Sequence, residues 1–113
     1  NGAKVAVLGL AYKADIDDSR ESPSYEIMKH LEEYGAKAVS YDPYVLRDST
    51  AKSLEEAVSG ADAVIIATNH KEFKELKPEF FQKHGVKVVV DGKNCLPKEE
   101  FIKSGIVYKG IGR

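Results

Sequence analysis

The sequence predicts an α/β fold, in which two layers of helices enclose a mostly parallel sheet of about five strands. Short runs rich in Val and Ile alternate with helical patterns along the chain, and this order is typical of βαβ units. The most apolar run, ADAVIIAT at 61–68, is hydrophobic on both faces, as expected for a strand inside a parallel sheet. With 113 residues, the chain suits one compact domain over 1–113.

The first elements are a strand at 4–8, KVAVL, and an amphipathic helix over 23–34. Apolar side chains recur in the helix at the spacing of a single face, at Ile27, Leu31 and Tyr34. Ser22 precedes the helix as a candidate N-cap, and Gly35 is placed to end it in the left-handed conformation. A polar loop over 9–22 therefore connects the first strand to the first helix.

The rest of the chain continues the alternation of strands and helices. In order, the predicted elements are a strand at 37–41, a helix at 53–59, a strand at 61–68, a helical stretch at 70–84, a strand at 86–91, a helix at 97–104 and a strand at 106–110. Pro78 interrupts the helical stretch, where we expect a break or two short helices. Crossovers between parallel strands put helices on both faces of the sheet, so we expect a three-layer, Rossmann-like domain.

The composition excludes several classes of partner. The chain has 17 basic and 18 acidic residues, so it lacks the broad positive surface that nucleic-acid binding requires. Its apolar runs are shorter than the roughly 20 residues of a membrane-spanning helix. The three histidines have no metal-ligand spacing, and the single cysteine cannot form a disulfide within the chain. We therefore expect a cytoplasmic protein with no nucleic-acid, membrane or metal partner.

The loop over 9–22 is the leading candidate for a binding site, because ligands of open α/β sheets lie at the carboxyl ends of strands. It is not a conventional dinucleotide loop, since Ala11 and Ala14 stand where the G-x-G-x-x-G pattern requires glycine. It is not an EF-hand calcium loop either, since Arg20 stands at the position of the required glycine. A ligand at this loop must therefore be held by side chains rather than by a glycine-rich backbone or a calcium ion.

Two cations and an aromatic ring in this loop suit a phosphate-bearing ligand. Lys13 is a flexible point charge suited to a phosphate oxygen, and Arg20 presents a planar fork suited to a pyrophosphate. Tyr12 can stack on a base or pack on the core. The residues alone leave a second interpretation open, in which Arg20 pairs with a carboxylate of the same loop and only orders it.

Three other reactive side chains have simpler explanations. Cys95 lies in KNCLP with no histidine in the local sequence, and we expect a packed or loop thiol. His70 follows the strand at 61–68, where it can either line the site or stand at the start of a helix. His84 precedes Gly85 at an expected helix end, where a cation suits the helix dipole.

The segment VLGLAYKADIDDSRESPSYEI at 7–27 contains a distinctive motif. It closely resembles the loop that opens the C-terminal domain of UDP-glucose and UDP-N-acetylmannosamine dehydrogenases, with the pattern G-x-x-[FY]-K, a short acidic spacer and D-x-R-E-S-[PS]. Every fixed element of that pattern is present between Gly9 and Pro23. Further segments agree in order, namely YDPYV at 41–45, ADAVIIATNHKEFK at 61–74, DGKN at 91–94 and YKGIGR at 108–113.

The resemblance implies roles for individual residues in binding a UDP-sugar and NAD. In such enzymes the residue matching Lys13 contacts the UDP-sugar, and the aromatic ring matching Tyr12 lies against the nucleotide. The residue matching Arg20 reaches NAD, which is bound mainly by a separate N-terminal domain. The loop with Lys93 and Asn94 matches a segment that often carries a second arginine, so both residues belong to the predicted substrate site.

The resemblance also implies that the chain is a C-terminal fragment of an NAD-dependent UDP-sugar 6-dehydrogenase, an enzyme of polysaccharide biosynthesis that oxidises a sugar C6 alcohol to a uronate. TNHKEF at 68–73 and the GIGR ending favour UDP-N-acetylmannosamine over UDP-glucose. Because the G-F-G-G-x-C segment of the catalytic cysteine is not in this sequence, we expect the chain to bind without catalysing. We expect homodimers or larger assemblies to form through regions outside it.

A different class of function remains as the alternative. A stand-alone Rossmann-like regulatory module would bind a nucleotide or CoA tightly and would signal by self-association. The upstream reading frame distinguishes the two hypotheses, because only the enzyme requires a preceding G-F-G-G-x-C segment.

Overall fold

The computed structural model describes residues 2–10 and 24–110. Within these ranges the strands are β1 (Lys4–Leu8), β2 (Lys37–Tyr41), β3 (Ala63–Ile66), β4 (Val88–Asp91) and β5 (Val107–Gly110). The helices are α1 (Ser24–Glu33), α2 (Leu54–Val58), α3 (Lys71–Lys74), α4 (Pro78–Lys83) and α5 (Lys98–Ser104), with a 3-10 turn at Leu46–Asp48. No helix in the described ranges is long and apolar enough to cross a bilayer.

The strands of the described ranges form one parallel sheet with the order β2-β1-β3-β4-β5, which confirms the predicted α/β class and its five strands. β1 lies between β2 and β3, so that Leu8 stands beside Tyr41 on one side and Ile66 on the other. The chain moves to one side of β1 to form β2 and to the other side to form β3. Strand order therefore reverses at β1 and β3, where sheets of this kind bind their ligands.

The start of α1 is held against the end of β1. The hydroxyl of Ser24 is fully buried and donates to the carbonyl of Gly9 at 2.5 Å. The helix ends at Glu33, one residue before the predicted end, and Gly35 adopts the predicted left-handed conformation with φ 88°. The amide of Ala36 then donates to the carbonyl of Leu31 at 3.0 Å. The predicted N-cap, Ser22, lies outside the described residues.

The helical stretch after β3 is broken by its proline, as expected. α3 ends at Lys74 and α4 begins at Pro78, whose ring nitrogen has no hydrogen to donate to a continuing helix. His84 stands at the C-terminal end of α4, which was its predicted place, and its amide donates to the carbonyl of Phe81 at 3.2 Å. The stretch therefore forms two short helices.

The main hydrophobic core lies on one face of the sheet, beneath α2, α3, α4 and α5. The largest fully buried side chains that these helices contribute belong to Phe73, Phe81 and Phe101. They join the side chains that the strands direct to the same face, Ala6, Leu8, Val64, Ile66 and Val89. Because alternate side chains of a strand point to the same face, these residues form one continuous core.

The opposite face is covered less completely than the sequence suggested. α1 packs on β1 and β2, and Val7 is fully buried there. Beyond β1, the side chains of Ile65 in β3 and Val90 in β4 are only half-buried. We predicted helices over both faces of the sheet, and in the described ranges α1 is the helix that packs on this one.

Substitution of Gly9 tests how closely the ends of β1 and β3 pack against each other. Gly9 has φ 112°, and a Cβ on it would lie 2.6 Å from Cβ and 2.7 Å from the amide nitrogen of Thr68. We expect Gly9→Ala to lower the free energy of unfolding by about 3 kcal/mol, because backbone strain adds to overpacking. Urea unfolding followed by circular dichroism measures the loss.

Gly60→Ala is the matched control for that substitution. Gly60 also has a positive φ, 74°, but a Cβ on it would meet nothing within 4 Å. We expect this control to cost about 1 kcal/mol, from the left-handed backbone alone. Equal losses in the two variants would contradict the close packing of β1 on β3.

Candidate functional site

The carboxyl ends of β1, β2, β3 and β4 bring their loops to the same edge of the sheet, because all four strands are parallel. At the centre of this edge, Leu10 is fully buried and packs with Val45, Met28 and Tyr44 in a small second core. The residue that follows the glycine at the end of β1 is therefore fixed by packing. This edge is the candidate functional site.

The described residues that flank the main predicted binding loop meet at one point of the edge. Tyr12, Lys13 and Arg20 lie outside the described residues, so their positions stay predictions. The residues that flank the segment are described, and the Ser24 hydroxyl donates to the Gly9 carbonyl. Both ends of the segment are therefore joined where strand order reverses.

The loop after β4 is shaped by the buried carboxylate of Asp91. One oxygen, Oδ2, accepts from the amide of Leu96 and from the hydroxyl of Tyr108, each at 2.8 Å. The other oxygen, Oδ1, accepts from the amide of Lys93 at 3.1 Å. A Cβ on Gly92 would lie 2.8 Å from the carbonyl oxygen of Ile66, so the loop also lies tight against β3. These contacts hold the DGKN loop in one shape.

Lys93 and Asn94, the predicted substrate residues of this loop, take different places. Lys93 lines a cavity of about 370 Å³ on the half-covered face, together with the apolar side chains of Ile27, Ile65 and Val90. Asn94 is not among the residues that line this cavity. Its backbone adopts the left-handed conformation, with φ 53°, and forms the turn. The structure therefore brings Lys93, but not Asn94, to an apolar cavity of the size that ligands use.

A buried pair at the same edge was not predicted. His70 Nε2 lies 2.9 Å from Asp42 Oδ2, and both side chains are fully buried. The sequence left His70 either lining the site or starting a helix, and the structure places it directly before α3 and out of contact with solvent. The available signal was that Asp42 and His70 each follow a predicted strand, at ends that parallel strands bring together.

Comparison with known proteins identifies the family. The profile of the UDP-glucose/GDP-mannose dehydrogenase family, UDP binding domain, matches residues 6–98. The chain belongs to this family. UDP-N-acetyl-D-mannosamine dehydrogenase of Pyrococcus horikoshii is 43% identical over 98% of the chain, and UDP-glucose 6-dehydrogenase of Rhizobium meliloti is 34% identical over 99%. The chain spans 26% and 28% of the lengths of these two relatives.

Solved structures of the dehydrogenase family have the same fold as the chain. UDP-D-ManNAc dehydrogenase from Pyrococcus horikoshii superposes with a TM-score of 0.88 at 41% identity, covering 99% of this chain and 26% of that one. NDP-N-acetyl-D-galactosaminuronic acid dehydrogenase from Methanosarcina mazei Go1 gives 0.94 at 39% identity, covering 100% and 25%. The resemblance that the motif indicated is confirmed, as is the Rossmann-like fold.

The only cysteine of this dehydrogenase-family chain is a packed thiol, as predicted. Cys95 is half-buried against the main core, and its Sγ lies 3.7 Å from Asp91 Oδ1. Burial raises the pKa of the Cys95 thiol to about 11, and the Asp91 carboxylate adds to the rise. At neutral pH the thiol is therefore protonated and a poor nucleophile.

The raised pKa of Cys95 predicts slow alkylation in the folded chain. At pH 8 we expect iodoacetamide to modify Cys95 about tenfold more slowly than a free thiol, because little thiolate is present. The rate should rise with pH through the pKa of about 11. Stopped samples analysed by mass spectrometry give the rate, and the urea-unfolded chain is the control. Equal rates in folded and unfolded chains at pH 8 would contradict the burial of the thiol.

Proposed function

We propose that this chain is the UDP-sugar-binding domain of an NAD-dependent UDP-sugar 6-dehydrogenase, which oxidises the sugar C6 alcohol to a uronate. The observation that supports this most directly is the family match over residues 6–98. UDP-N-acetylmannosamine is the favoured substrate over UDP-glucose, since the UDP-N-acetyl-D-mannosamine dehydrogenases of Pyrococcus horikoshii and Methanocaldococcus jannaschii are 43% and 38% identical to the chain, and the UDP-glucose 6-dehydrogenase of Rhizobium meliloti is 34% identical. The single free cysteine suits a cytoplasmic enzyme.

The UDP moiety binds at the carboxyl edge of the sheet, beside β1 and β3. The Lys13 ammonium neutralises a phosphate oxygen there, and the Tyr12 ring lies against the nucleotide. Two features of the described residues support this location. The segment that contains both residues is joined at its ends by Ser24 and Gly9, and the strand order reverses at the same point.

The loop after β4 contributes a second contact region. Lys93 is a cation beside an apolar cavity, a combination that suits a nucleotide with its flat base and charged phosphates. Asp91 already holds the loop through hydrogen bonds from the amides of Lys93 and Leu96, so little ordering of this loop is required when a ligand arrives. Asn94 belongs to the same turn and completes the proposed substrate-binding set.

NAD, which accepts the hydride in this oxidation, is held mainly outside this chain. The end of β1 does not fit it, because the amides of Gly9 and Leu10 already donate to the carbonyl of Tyr41 and to the carboxylate of Asp42. A pyrophosphate cradle instead needs exposed glycine backbone at these positions. Arg20 is the group of this chain that reaches the cofactor. No residue of the chain has a catalytic role, and its contribution is to bind and orient the UDP-sugar.

Removal of the Lys13 charge tests this assignment. We expect the wild-type chain to bind UDP weakly and Lys13→Ala to lower its affinity about tenfold, because a charge-assisted contact to phosphate is lost. Isothermal titration calorimetry with UDP at low salt measures both affinities.

Lys103→Ala is the matched control for the loss of one positive charge. Lys103 is exposed in the last turn of α5, near the opposite edge of the sheet, so we expect its loss to leave UDP affinity unchanged. Equal UDP binding by Lys13→Ala and the wild-type chain would refute the phosphate contact. Tight binding together with self-association would instead favour a stand-alone regulatory module.

A further inference from the structure

The carboxylate of Asp42 is a fully buried junction between the ends of three strands. Its Oδ2 accepts from the amide of Leu10, which follows β1, at 2.6 Å, and from His70 Nε2, which follows β3, at 2.9 Å. Its Oδ1 accepts from the amide of Tyr44, after β2, at 2.8 Å. An ionised carboxylate only accepts hydrogen bonds, so Nε2 is the protonated ring nitrogen of His70 in this arrangement.

His70 is held at this junction by packing as well as by its hydrogen bond. Its ring centroid lies 4.6 Å from that of Tyr44 and 5.5 Å from that of Phe73. The hydroxyl of Tyr44 also donates to the carboxylate of Glu72, at 3.0 Å from Oε2. The loops after β2 and β3 are therefore fastened to each other across the end of β1.

The amide of Leu10 is the point where this junction acts on the candidate site. Leu10 is the last described residue before the segment with Tyr12 and Lys13, and its side chain is fully buried. Its backbone direction is set by the short hydrogen bond to Asp42. A change in that bond alters the direction in which the chain leaves β1 without touching a ligand.

We propose that His70 and Asp42 are positioning residues for UDP binding, an inference that rests on the proposed function. His70 orients the Asp42 carboxylate, and the carboxylate fixes the backbone of Leu10, two positions before Tyr12 and three before Lys13. The pair thus acts on affinity through the backbone, since neither side chain is exposed to a ligand. This is distinct from a purely stabilising role, which would leave the affinity of the folded chain unchanged.

The test compares two substitutions of His70. His70→Phe keeps a ring between Tyr44 and Phe73 but removes the N–H donor, whereas His70→Gln keeps a donor at nearly the same reach. In calorimetry at a temperature where every variant is folded, we expect His70→Phe to lower UDP affinity about tenfold. We expect His70→Gln to recover most of that loss. In NMR hydrogen exchange, the Leu10 amide should lose protection in His70→Phe only.

Phe81→Leu is the control for lost stability. Phe81 lies in α4, is buried in the main core and contacts Phe80 and Phe101, away from the Asp42 junction and from the loop after β4. We expect this variant to unfold more readily while keeping wild-type UDP affinity, with the Leu10 amide losing no more protection than the other core amides. If His70→Phe does not fold, Asp42→Asn replaces it, because an amide cannot accept from all three donors and should weaken UDP binding in the same direction.

The outcomes separate this inference from the proposed function. Wild-type UDP affinity in a folded His70→Phe chain, or an equal loss in Phe81→Leu, would overturn the positioning role and leave the proposed function intact. Failure of the wild-type chain to bind UDP would overturn both. A loss in His70→Phe that Gln restores, together with lower Leu10 protection, would support the positioning role.

Discussion

The parallel pairing of β1 with β2 on one side and β3 on the other is the constraint on which the candidate site depends. It places the end of β1 at the reversal of strand order, and it brings the loops after all three strands together. The backbones approach so closely that Gly9 and Thr68 leave no room for a Cβ between them. The proposed contacts of Tyr12 and Lys13 with a nucleotide depend on this arrangement, because the described residues that flank their segment, Gly9 and Ser24, meet there.

Two buried carboxylates then give the carboxyl edge its shape. Asp42 follows β2, Asp91 ends β4, and each accepts hydrogen bonds from backbone amides of the residues after its strand. A buried carboxylate is costly unless it is bonded in this way, so the loops are held to the positions of their donors. The described loops after β2 and β4 are therefore held in place by contacts within the chain itself.

Local patterns in the sequence predicted the elements, but they did not contain the contacts between them. The range of β1 was predicted correctly. The strand predicted at 61–68 is observed only over Ala63–Ile66, because the apolar residues Ala61 and Ala67 extend the sequence pattern beyond the paired segment. The junction of Asp42 and His70 joins residues 28 positions apart and requires the order of the strands, which no local pattern specifies. The partial exposure of Ile65 could not be predicted either, since a run that is apolar on both faces predicts burial but not what covers each face.

A crystal structure of the chain with bound UDP would test the proposed site most directly, because it shows where UDP binds. The account predicts UDP at the carboxyl edge beside β1 and β3, with the Lys13 ammonium within hydrogen-bonding distance of a phosphate oxygen and the base against Tyr12. UDP at another edge of the sheet would contradict it. Lys13 and Arg20 turned away from bound UDP, each paired with a carboxylate of their own loop, would contradict it equally.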